Sequence, residues 1–248
     1  MCLIVFAWRP SHPTPLIVAA NRDEFYARPT LPLARWPDAP QVYAGRDLEA
    51  GGTWMGISDD GRFAALTNIR DPNQPIGLRS RGDLVARYLS GTQSLEDYLA
   101  EAAGRASEYT GFNLLAGDAQ RLYYLNSADP VPVPLEEGIY GVSNAGLNTP
   151  WPKLLKAKAS LAGQLGDPQP STLLQLLHDP TPAAQAELPN TGVGLATEAL
   201  LSSVFISSPN YGTRASTVLI VNADGSRRMI EHSFGPSGAR LGQVELTL

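Results

Sequence analysis

Met1-Cys2-Leu3-Ile4-Val5-Phe6-Ala7-Trp8, the turn Arg9-Pro10-Ser11-His12-Pro13-Thr14, and Pro15-Leu16-Ile17-Val18-Ala19-Ala20 running into Asn21-Arg22-Asp23-Glu24 form the stretch that decides the fold. Two unbroken apolar, β-prone runs flank six turn-rich residues, which predicts a hairpin buried on both faces. Counting seven or eight residues either way from the turn sets Cys2 opposite segment 21–23. The abrupt change from apolar to polar after Ala20 marks a buried strand reaching an edge or a cleft.

Outward from this hairpin the chain repeats the pattern. Residues 53–58 and 62–67 flank Asp59-Asp60-Gly61, a strong hairpin signal. Residues 111–117 and 121–126 predict a third hairpin, 216–222 and 227–233 a fourth, and 139–142 a further short strand. Apolar spacing of three to four residues predicts helices over 81–89 and 95–103, with Ser94 capping the second. A helix over 152–165 has Pro152 in its first turn, and Ser171 is expected to cap a run to Leu177. Residues 179–196 read as a long loop. Hairpins interrupted by paired helices imply an α+β fold, antiparallel sheets covered by helices, in one domain over 1–248.

The 248 residues carry 19 Lys and Arg against 24 Asp and Glu, a net charge of −5. The basic residues are scattered, which argues against nucleic acid as a partner. One cysteine rules out an intramolecular disulfide and a structural thiolate-zinc site. His12, His178 and His232 lack metal-ligand spacing, so no metal is expected. The N-terminal apolar run is too short for a signal peptide or a bilayer span, and no later stretch reaches eighteen apolar residues. A cytoplasmic chain without stable membrane insertion is therefore expected, acting on a small molecule.

Cys2 has two readings. A residue this small after Met1 permits removal of the initiator, leaving one residue with a thiol and a free α-amine, of pKa about 8.5 and about 7.7–8.0. That is a nucleophile and a base together. The plainer reading is a small hydrophobe opening a core strand. Segment 21–24 divides in the same way. Asp23 would hold the amine and Arg22 favour the thiolate, or both belong to a solvated turn.

Cys2 at a strand start, Asn21-Arg22-Asp23-Glu24, Gly51-Gly52-Thr53-Trp54-Met55-Gly56, Asn144 with Pro150-Trp151-Pro152-Lys153, and Tyr211-Gly212-Thr213-Arg214 together resemble the NRDE family, over nearly the whole chain. Its eukaryotic members are transport and Golgi organisation proteins, associated with lipid, acyl-CoA and haem handling. The order of motifs is also similar to cysteine N-terminal-nucleophile amidases such as bile-salt hydrolases, penicillin V acylases and acid ceramidase. That resemblance implies an αββα sandwich of two antiparallel sheets with helices on the outer faces. It implies Cys2 as nucleophile, Asp23 at the α-amine, and Asn68 and Asn144 as oxyanion donors, with Arg214 a late active-site arginine and Asn21 and Arg22 in support. The amidases' first arginine falls at Ala20, and Arg22 is expected on the other face of the strand. Trp54, Trp151 and Tyr211 are candidates to line an apolar pocket, alternatively core or loop anchors. Two functions follow. One is an amidohydrolase or acyltransferase acting on a carbon–nitrogen amide without a cofactor. The other is a carrier for an apolar ligand such as acyl-CoA, a lipid or haem.

Overall fold

The computed structural model describes residues 2–248. The strands are β1 (Cys2–Trp8), β2 (Leu16–Phe25), β3 (Thr30–Arg35), β4 (Val42–Asp47), β5 (Met55–Ser58), β6 (Phe63–Asn68), β7 (Phe112–Gly117), β8 (Leu122–Asn126), β9 (Asp129–Pro134), β10 (Gly138–Val142), β11 (Tyr211–Val221), β12 (Arg227–Phe234) and β13 (Arg240–Thr247). The helices are α1 (Gly82–Ser90), α2 (Leu95–Gly104), α3 (Pro152–Ala162), α4 (Pro170–Gln175) and α5 (Leu195–Leu200). One sheet runs β10-β1-β2-β11-β12-β13 and the other β3-β4-β5-β6-β7-β8-β9. Neighbouring strands pair antiparallel throughout.

The layers explain the unbroken apolar run of β1. Cys2, Ile4, Phe6 and Trp8 face the core between the sheets, while Leu3, Val5 and Ala7 pack under α3 and α4. A strand covered on both faces does not alternate in polarity. On the far side, Leu84, Val85, Tyr88, Tyr98 and Leu99 of α1 and α2 cover Ala64, Leu66 and Leu114 of the second sheet. The result is the expected αββα sandwich. Among the described residues, no helix is long and apolar enough to cross a membrane.

Several elements escaped the sequence pattern. β3 and β9 are edge strands containing prolines, and β3 carries a register shift between Leu31 and Ala34. Proline breaks the strand signal yet is tolerated at an edge. β13 closes the other sheet with a largely exposed sequence. Ser94 caps α2 by accepting from Asp97 N, as its spacing predicts. Ser171 does not cap α4, whose helix starts at Pro170 after Gln169. α3 stops at Ala162, short of Leu165. The 179–196 loop holds a 3-10 turn at Gln185–Glu187, and α5 begins at its end.

Candidate active site at the start of the first strand

β1 pairs with β2 in the register Cys2↔Arg22 and Ile4↔Ala20. Directly opposed residues share a face, so Arg22 lies on the same side as Cys2. This corrects the expectation that Arg22 points away. Positions 20 and 22 are two apart and the strand period is two, so the guanidinium missing at Ala20 has a neighbour on its own face.

β11 runs along the other side of β2 and contributes Arg214 through a bulge. Thr213 pairs with Asp23 and Ala215 with Arg22, leaving Arg214 as the extra residue. A bulge re-aims a side chain; here Arg214 Nη1 donates to the carbonyls of Phe25, at 3.1 Å, and Arg28. Arg22 Nη1 donates to Thr30 Oγ1 at 3.4 Å. Both guanidiniums border a cleft of about 630 Å³ between the open ends of the sheets, together with Cys2, Trp54, Asn68 and Arg81. Arg81 Nη1 donates to Gly111 O at 3.3 Å. Burial pulls the Arg81 and Arg214 guanidiniums down, and the charge of Arg22 adds to the effect at Arg214.

Cys2 is buried at the cleft floor, at 6% exposure. Burial pushes its thiol up and the Asp23 carboxylate adds to this, while Arg22 and the backbone N–H of Asp23 pull it down. Asp23 is buried and accepts from Thr213 Oγ1 at 2.8 Å. Burial raises the Asp23 carboxyl, and Lys153 opposes that most strongly among the neighbouring charges.

Asn68 ends β6 in the cleft wall, and its carbonyl accepts from Asn144 Nδ2 at 2.8 Å. Asn144 in turn accepts from Arg70 N at 2.7 Å, and from Ser143 Oγ at 3.3 Å on its side-chain oxygen. The Asn144 amide thus holds Asn68, and Asn144 itself lies behind the cleft wall. Ser143 Oγ also donates to Cys2 O at 3.1 Å. Behind these residues, Asn113 Nδ2 donates to Ala145 O at 2.6 Å, and Tyr124 donates to Asn113 Oδ1 at 2.6 Å. A buried polar network therefore ties the end of β10 to β6, β7 and the start of β1.

Of the three aromatic candidates, Trp54 lines the cleft. Trp151 lies under Arg70, whose guanidinium stands 4.7 Å from the ring centroid, at a separate small cavity. Tyr211 packs edge-on to Phe25 at 5.1 Å.

Asn21 ties strand to helix layer. Its Nδ2 donates to Leu177 O at 2.9 Å and Val204 O at 2.8 Å, and Oδ1 accepts from Ser216 Oγ at 2.6 Å. Asn21→Leu strands two buried carbonyls and a hydroxyl, a cost of about 3 kcal/mol or more. In a chain of this size that lowers Tm by roughly 6–12 °C. Calorimetry checks this, with Cys2 alkylation at low temperature unchanged, because Asn21 faces away from the thiol.

Lys153, Arg70 and Glu198 carry the chemistry that the sequence reading missed. Arg70 Nη1 and Glu198 Oε2 form an ion pair at 2.5 Å with both side chains 3% exposed. Lys153 is 3% exposed and shares their small cavity. Its place in the Pro150-Trp151-Pro152-Lys153 motif, a lysine in an otherwise apolar helix start, was the available signal.

The layers and the cysteine at the head of a central strand define an N-terminal-nucleophile-hydrolase-like fold. The N-acylethanolamine-hydrolysing acid amidase orthologue of Caenorhabditis elegans superposes with a TM-score of 0.51 at 12% identity, covering 88% of this chain and 92% of that one. The chain belongs to the Transport and Golgi organisation 2 family, whose profile matches residues 1–236. Transport and Golgi organization protein 2 homologues of Homo sapiens and Bos taurus are 36% and 38% identical, each over 94% of this chain and 93% of its own length. The Drosophila melanogaster protein is 30% identical over 94% of this chain and 92% of its own.

Proposed function

We propose that the chain is an N-terminal-cysteine amidohydrolase or acyltransferase acting on a carbon–nitrogen amide. The carrying observation is Cys2 on the floor of a 630 Å³ cleft, with Arg22 opposite it and Asn68 in the wall. In a chain that begins at Cys2, the α-amine takes the thiol proton and Sγ bonds to the amide carbon. The oxyanion accepts a hydrogen bond from Asn68, which Asn144 keeps in place. Collapse breaks the C–N bond, and the ammonium returns its proton to the leaving amine. Water, or an acceptor amine or hydroxyl, then attacks the thioester, and the C–S bond breaks. Arg81 and Arg214 donate to backbone carbonyls, and Arg22 donates to Thr30 Oγ1 with Glu24 Oε2 at 4.0 Å, so the cleft's arginines are only partly neutralised. This favours a substrate with an acidic group near its scissile bond.

A second reading has its own support. The thiol is buried and pushed up, and the cleft rim carries Ile76 and Leu78, 93% and 95% exposed. A carrier of an apolar ligand such as an acyl chain uses such a rim without needing the thiol.

Intact-protein mass, before and after a thiol-reactive electrophile, separates the two. Loss of Met1 with fast labelling near neutral pH, absent in Cys2→Ala, is expected of the nucleophile. Retained Met1 with an inert thiol overturns it and favours the carrier.

A further inference from the structure

Lys153 is an expensive residue where it stands. It is the second residue of α3, at the positive end of the helix dipole, in a first turn with no acidic residue. It is buried, and its Nζ has no hydrogen-bond partner among the described residues. Burying an ammonium in this way costs several kcal/mol unless a charge offsets it. Packing does not require the charge, because a methionine fills much the same volume.

The charged groups around Lys153 come from four elements besides α3: Cys2 from β1, Asp23 from β2, Arg70 from the segment after β6 and Glu198 from α5. Glu198 is already engaged. Its Oε2 pairs with Arg70, and its Oε1 accepts from Thr191 N at 2.8 Å and Thr191 Oγ1 at 2.6 Å. Asp23, which also accepts from Thr213 Oγ1, is the carboxylate whose charge acts most strongly on Lys153. The coupling is mutual: Asp23 is the strongest charge holding the lysine up, and Lys153 the strongest charge holding the carboxyl down. Burial nonetheless brings the lysine down to about 8.

Resting on the reading of Cys2 as nucleophile, we propose that Lys153 is a positioning residue for the amine of a chain that begins at Cys2. Its ammonium offsets Asp23. Asp23 alone would fix that amine as ammonium, since an adjacent carboxylate favours the charged form. Opposite a neutral Lys153–Asp23 pair, the amine accepts a hydrogen-bonding anchor and retains the lone pair that takes the thiol proton.

The test is the pH profile of Cys2 alkylation by iodoacetamide in the full chain with Met1 removed, for wild type, Lys153→Met, Lys153→Arg, Asp23→Asn and Lys153→Met combined with Asp23→Asn. Lys153→Met is expected to move the midpoint up by about one pH unit, roughly a tenfold loss of rate at neutral pH. Lys153→Arg keeps the charge and is expected to stay within about threefold of wild type. The double variant, which buries neither charge and is the safeguard against misfolding, is expected to match Asp23→Asn alone. A reactive wild type whose profile Lys153→Met leaves in place overturns this role and spares the nucleophile reading, as does a double variant displaced from Asp23→Asn by half a unit or more. An unreactive wild-type thiol removes both.

Discussion

Cys2→Ser is expected to lower amide turnover by roughly 10³- to 10⁶-fold while leaving the fold unchanged, the range that loss of a nucleophile produces in hydrolases. The α-amine lies close enough in pKa to a thiol to remove its proton outright, whereas a hydroxyl at the same place gets only general-base assistance in a site shaped for sulfur. Serine is nearly isosteric, and the site on β1 is buried between Ile4 and the cleft, so Tm should move by only a few degrees. Single-turnover hydrolysis of acyl amides, read by mass spectrometry, gives the measurement. The wild type accumulates an acyl thioester that hydroxylamine removes, and Cys2→Ser accumulates none. Undiminished turnover by Cys2→Ser would exclude the nucleophile outright. The pH dependence carries independent information. Burial raises the Cys2 thiol, so a lone thiol here stays protonated at neutral pH and its labelling climbs beyond the ordinary thiol range. With an amine taking the proton, the profile instead levels near neutral pH. Carrier function predicts the climbing profile, with ligand uptake intact in Cys2→Ser.

The centre of the fold was legible in the sequence because its signals are local. β1 and β2 announce themselves as two apolar runs around a Pro-rich turn, and counting from that turn gave the observed Cys2↔Arg22 pairing within one residue. The edges were not legible. β3 and β9 contain prolines, β13 is exposed along most of its length, and all three exist because a neighbouring strand offers a ladder. Edge pairing is a tertiary effect that residue preference barely records.

The site divides along the same line. Cys2, Arg22, Asn68 and Arg214 stand at strand ends, where polar residues following apolar runs are conspicuous, and the fold gathers them at one cleft. Asn144 is conspicuous for the same reason, yet its amide is turned onto the Asn68 carbonyl. Sequence position tells that a polar side chain lies near a site and does not tell which acceptor it chooses. The meeting of Lys153, Arg70 and Glu198 was not legible, although Lys153 stands in a quoted motif, because they come together only when α3, the segment after β6 and α5 converge. Arg70 and Glu198 are 128 positions apart. The expectation that Arg22 faces away fails on strand alternation itself: two positions from Ala20, it shares that residue's face, on the cleft side.

Gly52→Ala is expected to be a strongly damaging single-methyl change beside the cleft wall. Gly52 lies against the start of α1, and a Cβ there would sit 2.4 Å from Gly82 C, 2.5 Å from Gly82 O and 2.9 Å from Asp83 N. These are backbone atoms, so no side chain can swing aside to make room. The same approach carries hydrogen bonds from Thr53 N to Gly82 O at 3.2 Å and from Asp47 N to Gly52 O at 2.9 Å. Relief requires α1 to move, and with it Arg81 and Gly82, while Thr53 and Trp54 lose their register in the wall. Overpacking against rigid neighbours costs about 3 kcal/mol or more, a Tm loss of roughly 6–12 °C. Alkylation of Cys2 should change with it, because the cleft above the thiol is reshaped. Gly51→Ala is the control. Gly51 has φ +77° with nothing within 4 Å of the new methyl, so only left-handed backbone strain of about 1 kcal/mol is expected. Equal melting of the two variants would show that the glycine pair serves backbone freedom alone. A large deficit confined to Gly52→Ala makes the Gly51-Gly52-Thr53-Trp54 motif the close contact that fixes α1, and so Arg81, beside the thiol.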